Sequence, residues 1–464
     1  MVALDLARWQ FGITTVFHFL FVPLTIGLPF LVAGFQTAWL ATRHDRWLGL
    51  TKFFGTLFLV AFAMGVATGI VLEFQFGMNW SAYSRLVGEV FGVPLALEGL
   101  LAFFLQSTFL GLWVFGWERL PKYLHLGCMW VVALASAFSA YFVLAANAWM
   151  QWPVGYHFDD ETGRAELTDL GAVLTNKVLL ANFPHVASAC FLAAGSLVAA
   201  VALWQLCRHP DRDRAAFRSA LKVGAVTTVV GGVALAVTGA VSTQTMTDTQ
   251  PMKTAAAEAL YWTARPAGFS LVTFGTLTDA NEIASYRIPG VLSLFATGDL
   301  GGEVRGIDDL QREYEQRYGP GSYVPAVPVT YWAFRLMIGL GGLAVLAAAW
   351  ALWWMRVDRP APRPLIWAAI VLPALPALGN SAGWIFTEVG RQPWIVFGLM
   401  PTSAGVSPTI GTSTVALSLT LFTLLYAALS IVTVGLLVRY ARAGLAPEGP
   451  QDEGEDEPEA GLVY

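Results

Sequence analysis

The sequence predicts an all-α integral membrane protein of about nine transmembrane helices, with the N-terminus outside and the C-terminus inside. Three observations carry this. Hydrophobic residues make up 56% of the 464 and charged residues only 13%, with a mean hydropathy of +0.58, outside the range of soluble domains. Nine apolar runs of roughly 20 residues or more cross the chain, each long enough to span hydrocarbon with its backbone satisfied internally. Basic residues gather in alternate connections, which orients the spans.

The runs follow in order. Phe11 to Leu40 opens the chain, and no basic leader with a cleavage site precedes it, so this span is expected to stay in the mature protein. Phe53 to Met78, Val93 to Trp117, His125 to Met150, Leu179 to Leu206 and Val223 to Val241 complete a first group of six (1–241). A long outer loop, 242–329, separates them from Thr330 to Trp354, Leu365 to Glu388 and Thr414 to Leu437 (330–442). The eighth run carries Pro373, Pro376 and Asn380 and is the least regular. The tail, 443–464, is rich in Pro, Gly and acids and reads as disordered.

Fifteen basic residues (Arg43, Arg46, Lys52, Arg119, Lys122, Arg208, Arg212, Arg214, Arg218, Lys222, Arg356, Arg359, Arg363, Arg439 and Arg442) fall in odd-numbered turns and at the C-terminal end, against Arg85, Arg164, Lys177 and Arg391 in the short loops opposite. The positive-inside rule then places the N-terminus and the long loop outside. The net charge of −5 is a property of the tail, whose seven acids conceal about +2 on the membrane part. Cys128, Cys190 and Cys207 show no paired spacing and suggest neither disulfides nor a zinc site.

Chemistry in such a chain has few carriers. Of six histidines, His44, His125, His157 and His209 fall in loops or at span ends, leaving His18 and His185 at depth, each about 10 Å below the outer surface by residue rise. Imidazole in hydrocarbon lacks water to satisfy it and is a functional candidate by default. Met337 in TYWAFRLMIGL matches the depth of His185, so a His and a Met on facing helices could close the two axial positions of a low-spin haem iron, with Arg335 nearer the surface for propionates. A methionine alone is more often a core filler. In AGWIFTEVGRQPW, Trp384 and Glu388 share a helix face, Arg391 follows and Pro393 ends the helix; an interfacial cap explains the same residues. Glu98, within PLALEGLLAFF, must be neutral, paired or part of a proton relay. Lys253 and Glu258 in TQPMKTAAAEAL fall on a short helix begun by Gln-Pro, which alone reads as a solvated surface pair, although a carboxylate there could take protons from an oxidised quinol.

The stretches RWQFGITTVFHFLFVPLTIG, FAMGVATGIVLEFQFGMNWS, PLALEGLLAFFLQSTFLGLWVFGW, AANAWMQWPVG, QPMKTAAAE, YWAFRLM and AGWIFTEVGRQPW together resemble, in order, the large subunit of cytochrome bd-type quinol oxidases, from about Arg8 to Arg442. The compact chain between the quinol-loop motifs is similar to the short-loop form. The resemblance implies a terminal oxidase of the bacterial cytoplasmic membrane that oxidises ubiquinol or menaquinol at the outer loop and reduces O2 to water, without pumping. It implies low-spin haem b on His185 and Met337, and high-spin haem b and haem d on His18 and Glu388, one each. Lys253 and Glu258 match the quinol-loop pair, Arg335 the arginine beside the low-spin haem, and Trp384 and Arg391 residues around the paired haems. The implied partners are subunit II, small single-helix subunits and membrane lipid, with no nucleic acid. One position departs from the family: Gln106 stands where relatives commonly carry a second glutamate, and an amide releases no proton at neutral pH. Glu98, Ser107, Ser139 and Asn147 remain candidates for proton delivery.

Three other classes are weighed. A haem-copper oxidase needs more histidines at depth. A proton-coupled transporter would use Glu98, His18 and Glu388 near the midplane, but these groups sit toward the outer face and the halves show no repeat. A quinol-reactive subunit without oxygen chemistry is the third.

Overall fold

In the computed structural model, which describes residues 2–278, 282–356 and 363–445, the chain is a bundle of long helices. In chain order these are α1 (Val2–Thr42), α2 (Asp45–Met78), α3 (Ser81–Leu97), a π-helical segment (Glu98–Phe103), α4 (Phe104–Phe115) and α5 (Lys122–Gln151). A hairpin of β1 (Tyr156–Asp159) and β2 (Arg164–Leu167) leads to α6 (Leu170–Leu174), α7 (Lys177–Arg208) and α8 (Arg214–Thr249). The long connection holds α9 (Pro251–Ala257), the antiparallel pair β3 (Phe269–Gly275) and β4 (Glu282–Ile288), α10 (Val291–Thr297) and α11 (Ile307–Tyr318). The chain closes with α12 (Val327–Arg356), α13 (Arg363–Val371), α14 (Ala374–Gly390), β5 (Trp394–Val396), β6 (Met400–Pro401) and α15 (Thr412–Ala443). Among the described residues, nine helical stretches are long and apolar enough to cross a membrane, matching the nine runs of the sequence.

Three boundaries differ from expectation. The third span starts at Ser81 rather than Val93, because the polar stretch around Arg85 and Glu89 continues the helix as an amphipathic turn rather than a loop. The sixth helix runs past Val241 to Thr249, carried by the threonines at 243, 245, 247 and 249, of which Thr243, Thr247 and Thr249 turn their hydroxyls onto the carbonyl one turn back. The eighth span is two helices meeting at Pro373, which caps the second. The acidic tail expected to be disordered lies outside the described residues from 446 onward, as does Arg359.

The two ends of the bundle differ in chemistry. At one end the basic turns converge: Arg212 donates to the Leu445 carbonyl at 2.9 Å, Arg218 to Met355 at 3.2 Å, and Lys52 and Lys122 lie over Trp117 and Trp39. At the other end the long connection folds over the bundle, with Gln250 donating to the Gln151 carbonyl at 2.9 Å.

Packing is uneven along the axis. The half nearer the basic end is solid, built on Leu28, Phe35, Phe54, Phe58, Trp113, Phe217 and the alanine-rich faces of α7 and α12, which let helices approach closely. The half beneath the long connection is hollow.

Candidate functional site

A cavity of about 960 Å³ opens in that half, lined by α1, α2, α3, α5, α7, α8, α9, α12 and α14. Protein interiors pack like organic crystals, so a void of this size inside a bundle is a built feature. His18, Glu98, His185, Lys253, Glu258, Met337, Trp384, Glu388 and Arg391 all line it. The sequence therefore named residues that distant parts of the chain bring to one space. Arg335 stands just behind the lining.

Each candidate has a local reason for its position. His18 sits on α1 with its Nδ1 2.7 Å from the Thr68 hydroxyl of α2. His185 sits on α7 with its Nδ1 3.3 Å from Thr238 of α8. Met337 comes from α12 and reaches α14 where there is no side chain to stop it: a Cβ on Gly383 would lie 2.8 Å from its sulfur. Trp384, one residue on, stacks on Phe19 with ring centroids 4.3 Å apart, tying the Glu388 helix to the residue beside His18. His18 and Glu98 lie further along their helices than the run boundaries indicated, because α1 begins at Val2 and the third span at Ser81; residue rise puts His18 about 24 Å from the start of α1. The stack on Trp384, six residues before the end of α14 at Gly390, nonetheless keeps His18 near the loop end of the bundle.

The two residues expected as a solvated surface pair are neither exposed nor paired. Lys253 is 4% exposed and Glu258 1%. Glu258 caps α9, and one carboxylate oxygen, Oε2, both pairs with Arg335 at 2.9 Å and accepts from the Ser270 amide at 2.8 Å, while Oε1 is buried without a hydrogen-bond partner among the described residues. Burial pushes its carboxyl above the usual range, and the Arg335 guanidinium and the Ser270 amide offset part of that. Lys253 points the other way: its ammonium donates to Gln151 Oε1 at 3.3 Å, Gln151 donates to Asn147 Oδ1 at 2.7 Å, and Asn147 donates to Glu388 Oε1 at 3.2 Å. Glu388 completes the chain by an ion pair with Arg391, which also donates to the Ile395 carbonyl at 2.9 Å. Burial lowers the Lys253 pKa to about 7, with Arg391 adding to the shift and Glu388 opposing it.

Further along α5, Ser139 donates to Glu98 at 2.7 Å, and Gln106 donates to Ser136 at 2.7 Å. Ser107, one of the expected proton-path residues, is not brought here: it is exposed on the outside of the bundle and bonds the Phe104 carbonyl. Sequence reasoning passed over Glu73, an exposed carboxylate of α2 that lines the cavity, and Gln151, which joins Lys253 to Asn147. A carboxylate inside an apolar run was the available signal for Glu73, the same one that marked Glu98. Gln151 carried none, since an amide at a helix end is ordinary.

The donor set suits haem iron: imidazole, thioether and carboxylate groups facing a largely apolar space. Among the described residues no three of His, Cys, Asp and Glu gather to hold a bare ion, whereas a porphyrin fills four positions itself and asks the protein for one or two. Buried donors without partners point to a missing acid or ring substituent: Arg335 Nε and Nη1, Arg391 Nε and Trp384 Nε1. The residues present therefore fit such a group.

A family model described as cytochrome bd terminal oxidase subunit I matches residues 6–445. The chain is 42% identical over 456 residues to the cytochrome bd ubiquinol oxidase subunit 1 of Bacillus subtilis (strain 168), covering 97% of this chain and 96% of the relative. It is 36% identical over 511 residues to the cytochrome bd-II ubiquinol oxidase subunit 1 of Escherichia coli (strain K12), covering 97% and 98%. Among solved structures, the bd oxidase from Geobacillus thermodenitrificans superposes with a TM-score of 0.86 at 27% identity, covering 95% of this chain and 98% of that one.

Proposed function

The chain belongs to the cytochrome bd terminal oxidase subunit I family, and from that premise we propose that it is the haem-bearing subunit of a respiratory quinol oxidase. It oxidises ubiquinol or menaquinol at the loop end of the bundle, reduces O2 to water in the cavity, and works in the bacterial cytoplasmic membrane beside subunit II, with lipid and small single-helix subunits around it. The observation that carries this reading is the hollow half itself, where His18, His185, Met337 and Glu388 share one apolar cavity under the long connection. His185 and Met337 would hold the low-spin haem b, and His18 and Glu388 one iron each of high-spin haem b and haem d. Bound there, the haems supply one-electron transfer from quinol and the reduction of oxygen.

The protein's own groups do the rest. Glu258, its pKa raised by burial, accepts a quinol proton, and Arg335 balances its carboxylate form before the proton arrives. Lys253 orients the quinol side through Gln151 and Asn147. Glu98 with Ser139 carries protons toward the reduction site, and Gln106 holds its place by bonding Ser136 without releasing a proton. The apolar lining keeps other water out. Proton motive force then arises without pumping, because quinol protons leave on the loop side and water is made with protons from the basic side.

The purified complex tests this directly. Quinol-driven oxygen uptake should accompany a reduced-minus-oxidised spectrum with haem b bands and a haem d band well to their red; a proton-coupled transporter would show neither.

A further inference from the structure

Both deep histidines meet the same dipeptide. Thr68-Gly69 on α2 faces His18 of α1, and Thr238-Gly239 on α8 faces His185 of α7. These two contacts lie in different helix pairs and arise independently.

The direction of each hydrogen bond follows from proton counting. A hydroxyl has one proton to give and two lone pairs to receive with. Thr68 donates its proton to the Met64 carbonyl at 2.8 Å, so its 2.7 Å contact with His18 Nδ1 runs from the ring to the hydroxyl. Thr238 likewise donates to the Ala234 carbonyl at 2.8 Å, so its 3.3 Å contact with His185 runs from Nδ1–H. Threonine hydroxyls often bond the carbonyl one turn back within membrane helices, and that bond alone carries no message. With the hydroxyl proton on that carbonyl, the oxygen is left to accept from Nδ1–H, and this assignment puts the lone pair on Nε2 in both rings.

The glycine sets the ring's position. A Cβ at Gly69 would lie 3.3 Å from His18 Cε1, and one at Gly239 would lie 3.3 Å from His185 Cε1. Each ring edge therefore rests against bare backbone at a distance tighter than ordinary van der Waals contact would leave for a methyl group.

We propose that Thr68 and Thr238 are positioning residues, each accepting Nδ1–H from a haem-ligand histidine and so presenting that ring's Nε2 to the cavity, with Gly69 and Gly239 making room for the ring. The proposal rests on reading His18 and His185 as iron ligands. Hydrogen bonding at the distal nitrogen strengthens an imidazole as a donor and orients it, and losing such a partner typically costs roughly 10- to 100-fold in metal affinity.

Redox titration of the assembled complex, followed haem by haem, tests this without relying on turnover. Thr238→Val should move the midpoint potential of the low-spin haem b upward and leave the other haems in place, because a weaker donor favours ferrous iron. Thr68→Val should do the same to one high-spin haem only. In each case haem loss on dilution should quicken by on the order of tenfold. Thr238→Ser and Thr68→Ser keep the hydroxyl and should restore wild-type potentials, which a purely steric role would not require. Gly239→Ala and Gly69→Ala crowd Cε1 while sparing the hydrogen bond and should perturb the same haem as their neighbour; they serve where a valine variant fails to assemble. His185→Ala and His18→Ala are the controls. If they leave every haem signal intact, the ligand reading falls and takes the proposal with it. If they remove their haems while the valine and alanine variants titrate as wild type, the ligand reading stands and the positioning proposal is overturned.

Discussion

Lys253 and Glu258, five residues apart on one short segment, address different parts of the cavity. Glu258 turns to Arg335, two residues from Met337, and Lys253 turns through two amides to Glu388. On the proposed assignment, a quinol bound at this segment would sit between the low-spin and high-spin haem sites. Glu258→Gln removes the proton acceptor but no ligand, so quinol-driven oxygen uptake should fall on the order of 10²-fold with haem spectra unchanged. Uptake driven by an artificial donor that bypasses the loop should hold, and an equal fall in both would remove Glu258 from the quinol site. Lys253 gives a pH signature. With its pKa near 7 it is an ammonium below that pH and neutral above it, so the apparent KM for quinol should rise as pH climbs through 7, and Lys253→Met should flatten the profile. A wild-type profile that is flat across 7 contradicts this. The same shift fixes a sign for stability: the unfolded lysine keeps its proton up to about 10.5, so between 7 and 10.5 the unfolded state binds more protons and the cost of burying Lys253 is relieved as pH rises. The sequence named both residues but read them as solvated, because neither spacing nor composition shows that a loop will fold back over a cavity.

At the scale of elements, apolar runs were legible and their irregularities were not. Nine runs became nine spanning stretches because hydrocarbon admits little else. The π-helical segment at Glu98–Phe103 had no signature in its letters. Its effect is on the face presented: Glu98 and Gln106 would be about 80° apart on an unbroken α-helix, and the wider turn draws them together, so that both reach α5, at Ser139 and Ser136. Inserting one alanine after Phe104, beyond the π-helical segment, should swing Gln106 away from the Glu98 face by about 100°. Oxygen uptake with an artificial donor should then slow several-fold while haem content holds, as expected of a proton-delivery defect. Uptake that survives the insertion unchanged would show that this alignment does not serve proton delivery. The threonines facing His18 and His185 were similarly hidden, since partners on neighbouring helices leave no trace in local spacing.

For the whole molecule, the uneven packing is the main finding. A solid half at the basic end and a hollow half under the long connection put all the proposed iron ligands near one surface. On the proposed assignment electrons would cross little of the bilayer, and charge would move by proton uptake from the far side. In vesicles of known orientation, turnover should release about one proton per electron on the loop side, by stoichiometry; a ratio near two would mean pumping, which this geometry does not provide. The assignment of the hollow half to two distinct haem sites is tested most directly by the reduced-minus-oxidised spectrum of the complex carrying Met337→Leu or His185→Ala. Loss of the low-spin haem b bands with the haem d band retained, and with quinol-driven turnover abolished, is the expected result. Loss of the haem d band with the low-spin bands intact would contradict it.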